Sequence, residues 1–109
     1  MIHKFVFIRT RFTGFHRWKD AEEKYLRDYH RHEFHVELAV RVTRDREIEF
    51  IALKNKIHKF LNVEYEGKRF EASCEEIAQH LMDAFKAFEV SVSEDGENGA
   101  TLINQEENE

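Results

Sequence analysis

Three histidines give this chain its clearest chemistry: His16, and the pair His30 and His32 within His30-Arg31-His32-Glu33-Phe34-His35-Val36. Imidazole is a common ligand for zinc. Three neutral imidazoles leave a tetrahedral ion one open position, which is the arrangement of a catalytic site rather than a structural one. His30 and His32 are two apart, so at the start of a strand the pleat puts both on one face. Another segment must then carry His16 to them. His35 falls on the opposite strand face and is a poor ligand candidate. His3 and His80 have no motif around them and read as solvated. The plainer alternative is a set of ordinary surface or core histidines, because seven His in 109 residues produce chance spacings.

The elements that must position these residues can be read from periodicity. Residues 2–12 are rich in Phe, Val, Ile and Thr, which favours a strand. Residues 20–26 have the composition of a short helix. Residues 32–43 alternate cleanly, with Phe34, Val36, Leu38, Val40 and Val42 on one face and His35, Glu37, Ala39, Arg41 and Thr43 on the other. Arg44-Asp45-Arg46 reads as a turn. The apolar spacing from Phe50 to Leu61 is helical. Val63 to Phe70 contains Gly67 and reads as a loop. Ser73 with Glu76 three residues on is a capping-box signature, and Ile77, Ala78, Leu81, Met82 and Phe85 form the buried stripe of the helix that follows. Strands are expected at 88–93 and 100–103. The order implies an α+β domain with helices on one face of an antiparallel sheet.

The length gives one domain, assigned to residues 1–104, with a frayed acidic tail at 105–109. Hydrophobic residues at 41% and ten Phe are ample for a packed core. A net charge of −5 gives no footprint for nucleic acid, which needs clustered surplus Lys and Arg. No apolar run approaches the roughly 18 residues of a membrane span. The first nine residues are too short and too interrupted for a secretory signal. One Cys excludes an intramolecular disulfide and fits the reducing cytoplasm. The chain has no Pro, for which there is no physical account.

Four segments, in order, resemble the 6-pyruvoyl tetrahydropterin synthase and 6-carboxytetrahydropterin synthase family. Phe12-Thr13-Gly14-Phe15-His16-Arg17-Trp18 is similar to F-x-A-A-H-R-L. His30 to Val36 is similar to H-G-H-N-Y-x-V, Glu47 to Lys54 to M-V-x-D-F-x-x-L-K, and Ser73-Cys74-Glu75-Glu76-Ile77-Ala78 to P-T-x-E-N-I-A. The resemblance implies the tunnelling fold: a four-stranded antiparallel sheet, two main helices on one face, and a homo-oligomer (tetramer or hexamer) whose sheets join into a barrel with active sites between subunits. It implies zinc on His16, His30 and His32, and a pterin ring held by Glu75 and Glu94. It also implies a lyase acting on 7,8-dihydroneopterin triphosphate, as in tetrahydrobiopterin or queuosine biosynthesis.

The chain departs from that family in its proton-transfer residues. The family's Cys position holds Leu26, leaving Asp28 and Glu23 as the nearest acids. Cys74, the one thiol, sits in a helix first turn, where thiol pKa can fall. His58 matches the His of L-D-H-x-x-L-N, but Ile57 stands where the Asp would orient it. The candidate catalytic residues are therefore His58 and Asp28. The alternatives are a diverged module that binds a pterin or purine without this reaction, or an oligomer with fortuitous histidines.

Overall fold

The computed structural model describes residues 1–105, so most of the expected acidic tail, residues 106–109, lies outside the described residues. The frame is a long antiparallel ribbon. β1 (Lys4–His16) pairs with β2 (His30–Val42) along its whole length, from Lys4 opposite Val42 to His16 opposite His30. β4 (Glu89–Glu94) adds to β2, and β5 (Asn98–Ile103) adds to β4, both antiparallel. Every one of these registers pairs even with even and odd with odd. One face of the sheet therefore carries only even-numbered residues, because side chains alternate along a strand.

The even face is apolar and buried. Ile8, Phe12, Phe34, Val36, Leu38, Val90 and Val92 join one core with Leu53, Ile57, Leu61, Ile77, Ala78 and Leu81 of the helices. Those residues come from α2 (Phe50–Glu64) and α3 (Cys74–Phe85), so both main helices cover this one face, as expected. Burying each large apolar side chain is worth about 1.5–3 kcal/mol. The odd face carries Arg9, Arg11, Glu33, Glu37 and Arg41 and remains largely in solvent.

The expected four-stranded antiparallel sheet is corrected to a mixed, five-stranded one in the order β3-β1-β2-β4-β5. The added β3 (Arg69–Phe70) runs parallel to the end of β1, opposite Phe15 and His16. Two residues are too few to give a periodic signal, and Gly67 marked the segment as loop. Gly67 has φ of +71°, and its N–H donates to Thr13 O at 2.7 Å while Phe15 N–H donates to Lys68 O at 2.9 Å. The turn thus lays the segment along β1. The sheet of one chain is open, with β3 and β5 as its edges.

Three boundaries also move. β1 runs on to His16 rather than stopping at Phe12. The early helix shrinks to α1 (Lys24–Arg27), which buries no residue, and short helices without packing are marginal in water. α2 continues to Glu64, capped by Glu49, whose carboxylate accepts from Ile51 and Ala52 N–H. The capping box at Ser73 forms as expected, with Ser73 Oγ accepting from Glu76 N–H and Glu76 accepting from Ser73 N–H. His80 is not merely solvated: its Nδ1 shares a hydrogen bond of 2.7 Å with the hydroxyl of the buried Tyr65.

Gly14 sets how closely the end of the ribbon can be packed. A Cβ there would lie 2.6 Å from the Phe70 ring, which is itself packed against Phe12, Phe34 and Tyr65. Gly14→Ala is expected to lower stability by about 1–3 kcal/mol through overpacking. Urea unfolding measures this, and an unchanged midpoint would show that Phe70 yields freely.

Candidate metal centre

The parity of the ribbon brings the three histidines together. His16 ends β1, His30 begins β2, and the two face each other directly in the register. His32 lies two residues along on the same face, opposite Gly14. The ring centroids of His16 and His30 are 4.7 Å apart, those of His16 and His32 5.4 Å, and those of His30 and His32 5.0 Å. The absent side chain at Gly14 lets Phe70 slide beneath them. Phe34 and Phe70 then form an aromatic floor, with their ring centroids 5.0 and 6.0 Å from that of His16. His16 is buried and the other two are half-buried.

Each imidazole has its Nδ1 fixed by an acceptor. His16 Nδ1 lies 3.0 Å from Ala72 O, and His30 Nδ1 lies 2.9 Å from Asp28 O. His32 Nδ1 lies 2.7 Å from Asp95 Oδ2. A carbonyl or carboxylate oxygen cannot donate, so the proton must sit on Nδ1 in every case. In a neutral ring this leaves the lone pair on Nε2, which in His16 and His32 faces the Glu94 carboxylate at 3.0 and 3.5 Å. Fixing a histidine through its other nitrogen is how proteins orient metal ligands. One ring nitrogen from each of the three lies within 4.8 Å of the others. A tetrahedral zinc spaces its ligand nitrogens about 3.4 Å apart, so modest side-chain rotation closes the set. The residues fit a divalent metal ion.

Sequence reasoning missed Asp95. It sits with Gly96 in the β4–β5 turn, where both residues have positive φ and Glu97 N–H donates back to Glu94 O. An Asp-Gly pair is a turn signal, but nothing in the sequence says that this turn reaches His32. Asp95 Oδ1 also accepts from Glu33 N–H at 3.0 Å. That bond, and then the one from His32, hold the Asp95 carboxyl below its ordinary range.

A cleft of about 550 Å³ opens beside His16 and His30. Its walls include Trp18, Leu26, Cys74, Glu75 and Glu94, so both candidate ring-binding glutamates face the same space. Leu26 presents only hydrocarbon there. Cys74 does not have the lowered thiol pKa that its helical position allows. Burial, then Glu94 and Glu75, push it up to about 12, so the thiol stays protonated.

The two candidate catalytic residues lie elsewhere in the chain. His58 Nε2 pairs with Thr10 Oγ1, six residues up β1 from His16 and so about 20 Å along the strand. The preceding Ile57 is fully buried in the core. Asp28 spends its carboxylate on Lys24 at 2.8 Å, and only its backbone carbonyl serves the centre, through His30. Glu23 caps α1 by position. None of His58, Asp28 or Glu23 lines the cleft.

Burial, outweighing Ala72 and Glu94, holds the His16 pKa below the usual imidazole value, so the neutral form dominates at pH 7. The unfolded chain takes a proton near pH 6.5 that folded His16 resists. Metal-free protein should therefore be most stable above that pH and lose stability as pH falls through it. Metal affinity should fall in the same direction, since protons compete for the imidazoles. His32→Ala should abolish stoichiometric metal binding by elemental analysis. Asp95→Asn should weaken it about 10- to 100-fold while leaving the fold intact. A full metal complement in His32→Ala would place the site elsewhere. Among known proteins, no family model matches this chain and no curated sequence matches it.

Proposed function

We propose that this chain is a zinc-dependent lyase of the pterin-synthase type, acting on 7,8-dihydroneopterin triphosphate in the cleft beside the histidines. The observation that carries this reading is the convergence of three imidazoles, two of which line a cleft whose walls include Glu75 and Glu94. Zinc, when bound there, would act as a Lewis acid that polarises substrate hydroxyls. Glu75 and Glu94 would each accept paired donors from the fused ring, a charge-assisted contact of the stronger kind. Trp18 and Leu26 supply apolar wall against the ring face.

His58 is too far from the cleft of its own chain to move a proton there, so its catalytic role requires a neighbouring copy to supply it. A homo-oligomer, tetramer or hexamer, fits the open sheet. Beyond its short contact with β3, β1 has no strand on its outer side among the described residues, and β5 is the opposite edge. Phe5, Phe7 and Ile103 near these edges are exposed. Unpaired edges of this length are normally covered or paired. The cytoplasm suits the single thiol, and no helix among the described residues is long and apolar enough to cross a membrane.

A second reading is a binding module that keeps the metal and the ring pocket without this reaction. Leu26 and the protonated Cys74 favour it, because neither can abstract a proton.

Incubating metal-loaded protein with 7,8-dihydroneopterin triphosphate separates the two. The lyase releases inorganic triphosphate and a rearranged pterin, whereas the module binds the pterin and returns it unchanged. Glu75→Gln should weaken pterin binding about tenfold while sparing the metal, consistent with loss of one charge-assisted contact. Light scattering should give the mass of several copies; a mass near 13.1 kDa would remove the shared-site account of His58.

A further inference from the structure

Glu94, the last residue of β4, lines the cleft and turns its carboxylate onto the histidines. One oxygen lies 3.0 Å from His16 Nε2 and the other 3.5 Å from His32 Nε2. In neutral rings those nitrogens carry the lone pairs, because Nδ1 of each ring donates to Ala72 O and to Asp95. A lone pair and a carboxylate oxygen at hydrogen-bond distance repel unless something positive lies between them. Two ligand atoms on one tetrahedral zinc stand about 3.4 Å apart, and the two observed separations bracket that figure. A proton on Nε2 or a metal ion between the groups would each satisfy the contact, and metal loading distinguishes them.

We propose that Glu94 is the fourth ligand of the metal centre, closing it as a three-histidine, one-carboxylate set. This rests on the reading of His16, His30 and His32 as metal ligands. A ligand that reaches the ion through the cleft must then displace Glu94. The released carboxylate lines the same cleft and becomes free to accept donors from whatever enters. Occupation of the metal and recognition of the ring would thus share one side chain, and the resting ion would be shielded from adventitious anions.

Cobalt(II) substitution of the full-length protein tests this, because the visible bands of cobalt report its ligands. Wild-type protein should bind Co²⁺ with a tetrahedral spectrum that added azide barely alters. Glu94→Gln and Glu94→Ala should bind Co²⁺ about tenfold or more weakly, a loss no smaller than an outer partner gives. Azide should shift the bands of both variants by entering the vacated position. Far-ultraviolet circular dichroism confirms that they are folded, and X-ray absorption at the cobalt edge of the wild type counts the light-atom ligands if they are not. If wild-type and variant spectra respond to azide alike at equal Co²⁺ affinity, Glu94 is not a ligand while the histidine site stands. If wild-type protein takes up no Co²⁺ at all, the metal reading fails and this proposal with it.

Discussion

The register between β1 and β2 is the constraint on which the molecule depends. Thirteen consecutive residues of each strand pair without a bulge, and the pairing keeps parity throughout. That parity separates an apolar even face from a charged odd face, and it sets His16 across from His30. A slip of one residue would turn Phe34, Val36 and Leu38 away from the face that carries Phe12, and would part His30 and His32 from His16. The buried aliphatic and aromatic side chains that fix the register are therefore the ones that hold the three histidines together. Stability and site geometry share a cause.

The end of the ribbon is where packing gives way to chemistry. Along the even face the sequence runs from Leu38 and Val36 through Phe34 to His32 and His30, while the helices cover the apolar part. Beyond the last core ring the same face is lined by imidazoles. Their fixed partners come from three different places: the segment before α3 through Ala72, the end of α1 through Asp28, and the β4–β5 turn through Asp95. Such a gathering of acceptors around three rings leaves lone pairs facing one another, an arrangement that a cation relieves.

The cleft beside the histidines is lined by carboxylates and apolar groups, and neither His58 nor Asp28 reaches it. Leu26 presents hydrocarbon to the cleft, and the Cys74 thiol is held protonated by burial and by carboxylates. His58 pairs with Thr10 on a distant part of the ribbon. These placements follow from packing: Ile57 must point into the core, so the next residue on α2 turns toward solvent.

Much of the architecture was legible in the residues. The alternation from His32 to Thr43, the helical spacing after Phe50 and the Ser73 capping box each express a short-range rule, and each appears in the fold. The two-apart spacing of His30 and His32 likewise sufficed to put them on one face. What the sequence by itself determined was therefore whatever depends on the period of a strand, the period of a helix, or a cap a few residues long. What only the tertiary structure decided was everything that joins distant segments: that His16 lies opposite His30, that Phe70 fills the space at Gly14 as part of a fifth strand, that Asp95 holds His32, and that His58 lies away from the cleft. Those contacts span 14 to 63 positions along the chain. They are set by strand register and by the shape of the packed core, and no local pattern of residues encodes either.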